Sequence, residues 1–229
     1  SVAVVFVGNG KGAEALLPFW KRVKSSRAEI QAVAIDMSPA YIAAVSENLP
    51  KATIVFDHFH LIKLFNEKLS DLRRNIYQKL NKAGQKVLKG TRWLLLKNSH
   101  RLRPKYQEKQ RLAKGLRINT ALATAYYLKE DLNQLWSQES KDEASIFLDS
   151  WIARASHSGV AMLDSFSKTL TRHRSGILAY YNFPITTGPL EGTNNKIKTL
   201  QKQAYGFRDM EFFKLKIYAL HETRYALVG

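Results

Sequence analysis

Cysteine is absent from the 229-residue chain, which excludes a disulfide scaffold, thiolate zinc sites and cysteine nucleophiles. Long hydrophobic runs are lacking as well. The longest, such as residues 2–7 (VAVVFV), are strand-sized and too short to span a membrane. No Gly-x-Ser-x-Gly occurs, so the serine-nucleophile signature is missing. Gly8-Asn9-Gly10-Lys11-Gly12 lacks the spacing of a phosphate-binding loop and reads as a turn. Acidic residues are scarce: 19 Asp plus Glu stand against 36 Lys plus Arg, a formal charge of +17. Apolar residues nevertheless make up 45%, which marks a folding chain of one or two domains with a basic surface, not a disordered basic tail. The chain starts at Ser1 inside an apolar run, with no Met, charged leader or signal peptide, and the expectation is a cut-out of a longer chain.

The positive charge is concentrated. Residues 61–130 carry 18 basic and 4 acidic side chains, a net of +14, whereas residues 1–60, 131–190 and 191–229 carry +1, −1 and +3. A surface of that kind points to a polyanion, because releasing condensed counterions gives sequence-independent affinity for nucleic acid. A solvated helical surface that keeps the protein soluble is the plainer alternative.

Residues 2–7 read as a buried strand, and Ala13–Val23 as a helical pattern broken once by Pro18. Ala32–Ile35 is a second strand ending at Asp36. Ser38-Pro39 fits an N-cap and a first-turn proline for a helix whose inner face is Tyr41, Ile42, Val45 and Leu49, stopped by Pro50. Ala52–Phe56 is a third strand, leading into Asp57. Strands alternating with helices predict an α/β layer with its chemistry at strand ends. From Leu61 the pattern changes: Leu61, Phe65, Leu69, Leu72, Ile76 and Leu80 recur at spacings of three and four, predicting a long amphipathic helix. Thr91–Leu96 is too short for its period to be read. Further helices are predicted around 107–136, 141–155 and 159–180, then a linker over Tyr181–Pro189, a helix over Leu190–Gln203 and a last one from Asp209 to Tyr225.

Asp36 and Asp57 each follow an apolar strand directly, and adjacent parallel strands would bring both to the same sheet edge. Taken singly, each is as well explained as a helix cap. Glu191 opens a helix after Gly188-Pro189, with Asn195 at i+4 and Lys198 at i+7 on the same face. The helix dipole accounts for its charge but not for the polar cluster beside it, and Gly192 allows close approach at some cost in helix propensity. Carboxylates from separate elements on a basic protein point to a hard cation, Mg2+ or Mn2+, and two ions about 4 Å apart serve phosphoryl transfer. Two acids are too few for two ions, and residues 1–31 add only Glu14 and Glu29, neither at a strand end. His58 and His60 flank Phe59, a weak signal for zinc without thiolates; His60 is as well placed to bond Asp57 or a phosphate.

These stretches resemble the DDE-type transposases of the ISL3 insertion-sequence family. The likeness is carried by Ala34-Ile35-Asp36-Met37-Ser38-Pro39-Ala40-Tyr41, Leu49-Pro50-Lys51-Ala52, Phe56-Asp57-His58-Phe59-His60, residues 90–98 (GTRWLLLKN), Leu128-Lys129-Glu130, residues 188–198 (GPLEGTNNKIK) and Ala204-Tyr205-Gly206-Phe207-Arg208. It extends over nearly the whole chain. The resemblance implies an RNase H-like α/β core, incomplete at its amino terminus with the first two strands missing, interrupted by a large, mostly helical insertion. Residues 1–80 would be the partial core, 81–180 the basic helical insertion, and 181–229 the return to the core.

Carried across, Asp36 matches the second catalytic aspartate and Glu191 the final glutamate, 155 residues later. In the complete enzyme they would ligate two Mg2+ (or Mn2+) ions, with Glu191 helping to orient the nucleophile. Asn195, Lys198 and Lys202 are the candidate DNA contacts. Asp57 and His60 match a separate family motif whose role is structural or DNA-adjacent, and Thr187 stands where many members have Asn. The first catalytic aspartate is missing, as are the zinc-binding and helix-turn-helix regions expected to recognise transposon ends. The implied partners are double-stranded DNA, both transposon ends and target, and further copies of the enzyme, with no membrane. The implied location is the bacterial cytoplasm, at the nucleoid. A DNA-binding remnant without catalysis and an RNase H-like metal-dependent nuclease are the alternatives. Without its neighbouring strands, the run at residues 2–7 is expected to aggregate or to leave residues 1–12 poorly ordered.

Overall fold

The computed structural model describes residues 4–8, 13–26 and 28–221. In chain order its regular elements are α1 (Leu17–Ser25), β1 (Ala32–Ile35), α2 (Pro39–Asn48), β2 (Thr53–Phe56), α3 (His58–Lys79), α4 (Lys82–Leu88), α5 (Arg92–Leu96), α6 (Glu108–Arg117), α7 (Thr120–Leu132), α8 (Lys141–Ser156), α9 (Ala161–Leu178), α10 (Gly188–Gln203) and α11 (Met210–Tyr218), joined in places by short 3-10 turns. The chain divides into two compact units, one made of Ser1–Ile54 with Ile185–Gly229 and the other of Val55–Pro184.

β1 and β2 form a two-stranded parallel sheet, with α2 as the crossover. Thr53 N–H donates to the Gln31 carbonyl at 2.8 Å, which fixes the register at the start of β2. A small parallel sheet accompanied by many helices is consistent with a reduced RNase H-like core. The expected break near Pro18 is seen as a change of helix type, from a 3-10 turn over Ala13–Leu16 to α1. Pro18 lies in the first turn of α1, where a missing N–H costs nothing. On α2, Val45 is buried as predicted, but Tyr41 is exposed. At the other end, Phe207 stacks on Phe213 with ring centroids 4.6 Å apart, tying the turn after α10 to α11.

The expected strand at residues 2–7 is not formed in its described part. Val4–Gly8 has no strand structure, and Val5 is 60% exposed. Extended backbone needs a neighbour for its ladder; here side chains answer it instead. Tyr218 Oη accepts from Val7 N–H at 3.1 Å, and Arg22 Nη1 donates to the Val5 carbonyl at 3.1 Å. The predicted turn at residues 9–12 lies outside the described residues, as does the end of the last predicted helix; α11 itself closes at Tyr218.

The second unit is helical. Leu61, Phe65 and Leu69 of α3 are almost completely buried, and α3 packs against α4, α5, α7 and α9. Each such side chain contributes about 1.5–3 kcal/mol relative to exposure. Leu72, Ile76 and Leu80, expected on the same stripe, are only half-buried. The core closes on three aromatic rings, Phe65, Trp151 and Phe166, in mutual edge-to-face contact. Trp151 also donates from Nε1 to the buried Leu128 carbonyl at 2.9 Å, joining α8 to α7. The ambiguous stretch Thr91–Leu96 resolves as α5, entered through Gly90 at φ +76°, a left-handed conformation that favours glycine. The single helical region around 107–136 is two helices, with Asn119 capping α7 by accepting from Leu122 N–H at 3.0 Å.

Candidate functional site

Asp36 is the first residue after β1 and is half-buried. Its Oδ1 accepts the Ser38 N–H at 3.0 Å, while the Ser38 side chain makes no cap bond to α2. The strand-end acid therefore also shapes the entry to α2, and that contact fixes the direction of its carboxylate. The N-cap position of α2 is Ser38, so Asp36 is not the cap itself but holds the residue that occupies it.

Glu191 lies in the first turn of α10 and is half-buried; its own N–H donates to the Thr187 carbonyl at 2.9 Å. Thr187 is buried at the N-cap position, and Thr193 is buried with its hydroxyl donating to the Pro189 carbonyl at 2.9 Å. Asn195, Lys198 and Lys202 follow Glu191 at helical spacing and are exposed. A Cβ added at Gly192 meets no atom within 4 Å.

Asp57 is the N-cap of α3: its side chain accepts from Phe59 N–H at 3.1 Å, and it is 2% exposed. His58 Nδ1 lies 3.6 Å from the same carboxylate, and its ring packs on Trp136 and Tyr180. His60 is half-buried in the first turn of α3.

Asp36 and Glu191 thus belong to the same compact unit, whereas Asp57 and His60 belong to the other. Among the described residues no group of three or more His, Cys, Asp or Glu is arranged to hold a metal ion. Two carboxylates do not fit a two-ion centre, which needs more oxygen ligands than they supply. No helix among the described residues is long and apolar enough to cross a membrane.

Comparison with known proteins places the chain in a family. The family model for the ISL3-type DDE transposases, described as "Transposase", matches residues 2–217. The chain belongs to this family. It is 35% identical, over 221 residues, to the transposase for insertion sequence element IS1001 of Bordetella parapertussis, covering 94% of this chain and 54% of that protein. It is 27% identical, over 229 residues, to the transposase for insertion sequence element IS1557 of Mycobacterium tuberculosis, covering 90% of this chain and 51% of that protein. The chain spans about half the length of these curated relatives. No solved structure matches it.

Two family stretches acquire a physical explanation that sequence reasoning missed. Lys129, in Leu128-Lys129-Glu130, is 1% exposed. Its Nζ donates to the carbonyls of Leu95 (2.9 Å) and Lys97 (2.8 Å) at the end of α5, and lies 2.8 Å from Glu130 Oε1. Burial lowers its pKa, and Glu130 opposes that shift. Burial pushes Glu130 up, but Lys129 and the Ser99 N–H, 2.8 Å from Oε2, together hold it below the ordinary value. Glu108 is held low chiefly by Lys97 Nζ, 2.7 Å from both its oxygens, and by the Arg103 N–H at 2.9 Å. Burial and Glu130 push the neighbouring Tyr126 phenol up to about 12. At the start of α5, Thr91 Oγ1 donates to the Leu88 carbonyl and accepts from Arg73 Nε, while Arg73 Nη2 reaches the same carbonyl at 2.8 Å. The residues 90–98 are therefore clamped at both ends. A buried lysine pairing with backbone carbonyls leaves no trace in a hydropathy pattern.

Proposed function

We propose that this chain is the acid-bearing, DNA-contacting part of an insertion-sequence transposase that cleaves phosphodiester bonds at element ends and joins the freed ends to target DNA. The observation that carries the reading is that Asp36, at the carboxyl end of a parallel strand, and Glu191, in the first turn of α10, fall in one compact unit of a family member. Asp36 and Glu191 are two of the acids of the reactive centre. Asn195, Lys198 and Lys202 continue the Glu191 face outward and contact phosphate oxygens. Asp57 and His60 hold the start of α3 in place. The fold is RNase H-like, with the basic helical segment as an insertion, and the complete enzyme depends on Mg2+ or Mn2+ and works as an oligomer on the bacterial nucleoid.

The absence of a three-acid cluster among the described residues favours a second, narrower reading for the chain alone: it binds DNA without completing catalysis.

The test is a chimera in which this chain replaces the matching half of the Bordetella parapertussis transposase, assayed with an element-end duplex, a target plasmid and Mg2+. Joined product is expected from the chimera, and neither Asp36→Asn nor Glu191→Gln should yield any while both still bind the duplex. Joining that survives in either variant overturns the site assignment. Hydrolysed ends without joined product would favour an RNase H-like nuclease instead.

A further inference from the structure

Residues 72–128 hold 15 Lys and Arg against one acid, Glu108. Glu108 is buried and already committed to the Lys97 ammonium and the Arg103 N–H. Packing gathers part of the remaining charge at one place. On α6, Leu112, Gly115 and Leu116 are buried, and a Cβ added at Gly115 would lie 3.3 Å from Thr91 and 3.5 Å from Leu88. α6 is therefore laid on the end of α4 and the start of α5. Lys86 and Lys89 flank Leu88 on the α4 side of that contact. On the α6 side, Lys114 precedes Gly115 and Arg111 lies one turn earlier. Arg111 reaches across: its Nη2 is 3.2 Å from the Cβ position of Gly90, the residue next to Lys89.

These four cations are exposed, as are Lys82 and Arg117 farther along the same two helices. None of the six is in ion-pair contact with a carboxylate among the described residues. Arg74 and Arg92 share a groove with Glu67 and Asp71 and do not belong to this acid-free surface. Like charges held together repel, and the packing of α6 on α4 does not require them, since the contact itself is made by Leu88, Thr91 and Gly115. An anion from outside accounts for the arrangement.

The make-up of the surface narrows that anion. Protein–protein interfaces centre on apolar and aromatic anchors and are depleted in lysine. Among the described residues of α4 and α6, Val87 is the one large apolar side chain left exposed. A membrane anchor needs an apolar helix face to insert, and that of α6 is already buried in the unit. Protein–DNA interfaces are polar and strongly positive. A duplex also offers phosphates in continuous rows, which suits cations carried by two adjacent helices.

We propose that α4 and α6 form a second duplex-binding surface, on which Lys86, Lys89, Arg111 and Lys114 hold the phosphate backbone of DNA of any sequence. Phosphate contacts position a duplex without reading its bases. The surface rests on the DNA-binding reading and adds to it a path through the helical unit, in which α10 has no part.

The test measures binding of the full chain to two labelled duplexes of unrelated sequence, by fluorescence anisotropy at several salt concentrations. Lys86→Gln/Lys89→Gln/Arg111→Gln/Lys114→Gln should weaken both duplexes alike and make the log–log salt slope shallower by about 3–4. Lys21→Gln/Lys24→Gln/Lys141→Gln/Arg172→Gln removes the same charge from exposed positions on α1, α8 and α9, and should change the slope by about 1 at most. Independently of any variant, either duplex should shield Lys86, Lys89 and Lys114 from acetylation, read by mass spectrometry. Phosphatidylserine vesicles and polyglutamate should shield them far less. An unchanged slope in the first variant, an equal change in the second, or lysines acetylated as fast with duplex as without overturns this surface while leaving DNA binding intact. Shielding by vesicles or polyglutamate as strong as by duplex gives the surface to another anion and overturns it as well. Failure of wild type to bind either duplex overturns the DNA-binding reading together with it.

Discussion

The ammonium of Lys129 donates to the main-chain carbonyl of Leu95, 34 residues earlier in the chain, at 2.9 Å. One buried cation thereby satisfies the end of a five-residue helix that has too few turns to be stable alone. Lys129→Met should leave the Leu95 and Lys97 carbonyls unmet and Glu130 without its cation. Losing one member of a buried pair costs about 3–5 kcal/mol. Urea denaturation should show that loss as a lower midpoint with little change in slope, and Lys129→Met/Glu130→Gln should recover part of it. A single variant as stable as wild type would contradict the capping role.

Acid should loosen the same region. Glu108 and Glu130 both have folded pKa values below the ordinary 4.5. The folded state therefore holds these groups ionised more firmly than the unfolded chain does. The stability they contribute is fully present above about 4.5 and is lost as pH falls through their folded values. Thermal melts across this range should show the midpoint falling on acidification. Glu130→Gln should lower the midpoint at neutral pH and flatten the acid slope, and an unchanged slope would count against the linkage.

Tyr205 sits at φ +50° just past α10, where the Gly206 N–H closes the helix end onto the Gln201 carbonyl at 2.9 Å. That position usually holds glycine, and a side chain there costs about 1–2 kcal/mol. The Tyr205 ring is fully exposed, so it recovers nothing by burial. Tyr205→Gly should raise stability by about 0.5–1 kcal/mol, once the greater freedom of glycine in the unfolded chain is set against the relieved strain. A lower melting temperature would show that Tyr205 makes a stabilising contact.

Lys198 and Lys202 are exposed on the Glu191 face of α10. If they meet phosphates, Lys198→Ala and Lys202→Ala should each weaken duplex binding similarly across sequences and reduce the log–log salt slope by about 1. Slopes unchanged from wild type would move the DNA path off this helix.

Much of this was legible because it is local. The four-residue spacing of Leu61, Phe65 and Leu69 fixes the inner face of α3, and a short apolar run followed by Asp36 marks a strand end whatever lies beyond it. What failed to read is set by partners distant in sequence. Residues 2–7 have strong strand propensity, but among the described residues no strand pairs with Val4–Gly8, and its backbone turns to Tyr218 and Arg22. Thr91–Leu96 is helical because Lys129 and Arg73 close its ends, and neither is near it in the chain. The candidate site was half legible. Asp36 and Glu191 declare themselves as acids at element ends, but placing them in one unit takes the whole fold. Trp93 read as part of an apolar run and stands in solvent instead.

The open space over Gly192 makes that position a silent sensor. An alanine there meets no described residue beyond its own helix and should firm α10 by about 1 kcal/mol, so a folding assay should register only a gain. If the same methyl group impairs DNA binding or end joining while the fold is firmer, the obstruction points to a molecule brought to the helix from outside. One added carbon would then report how closely that visitor approaches the backbone beside Glu191.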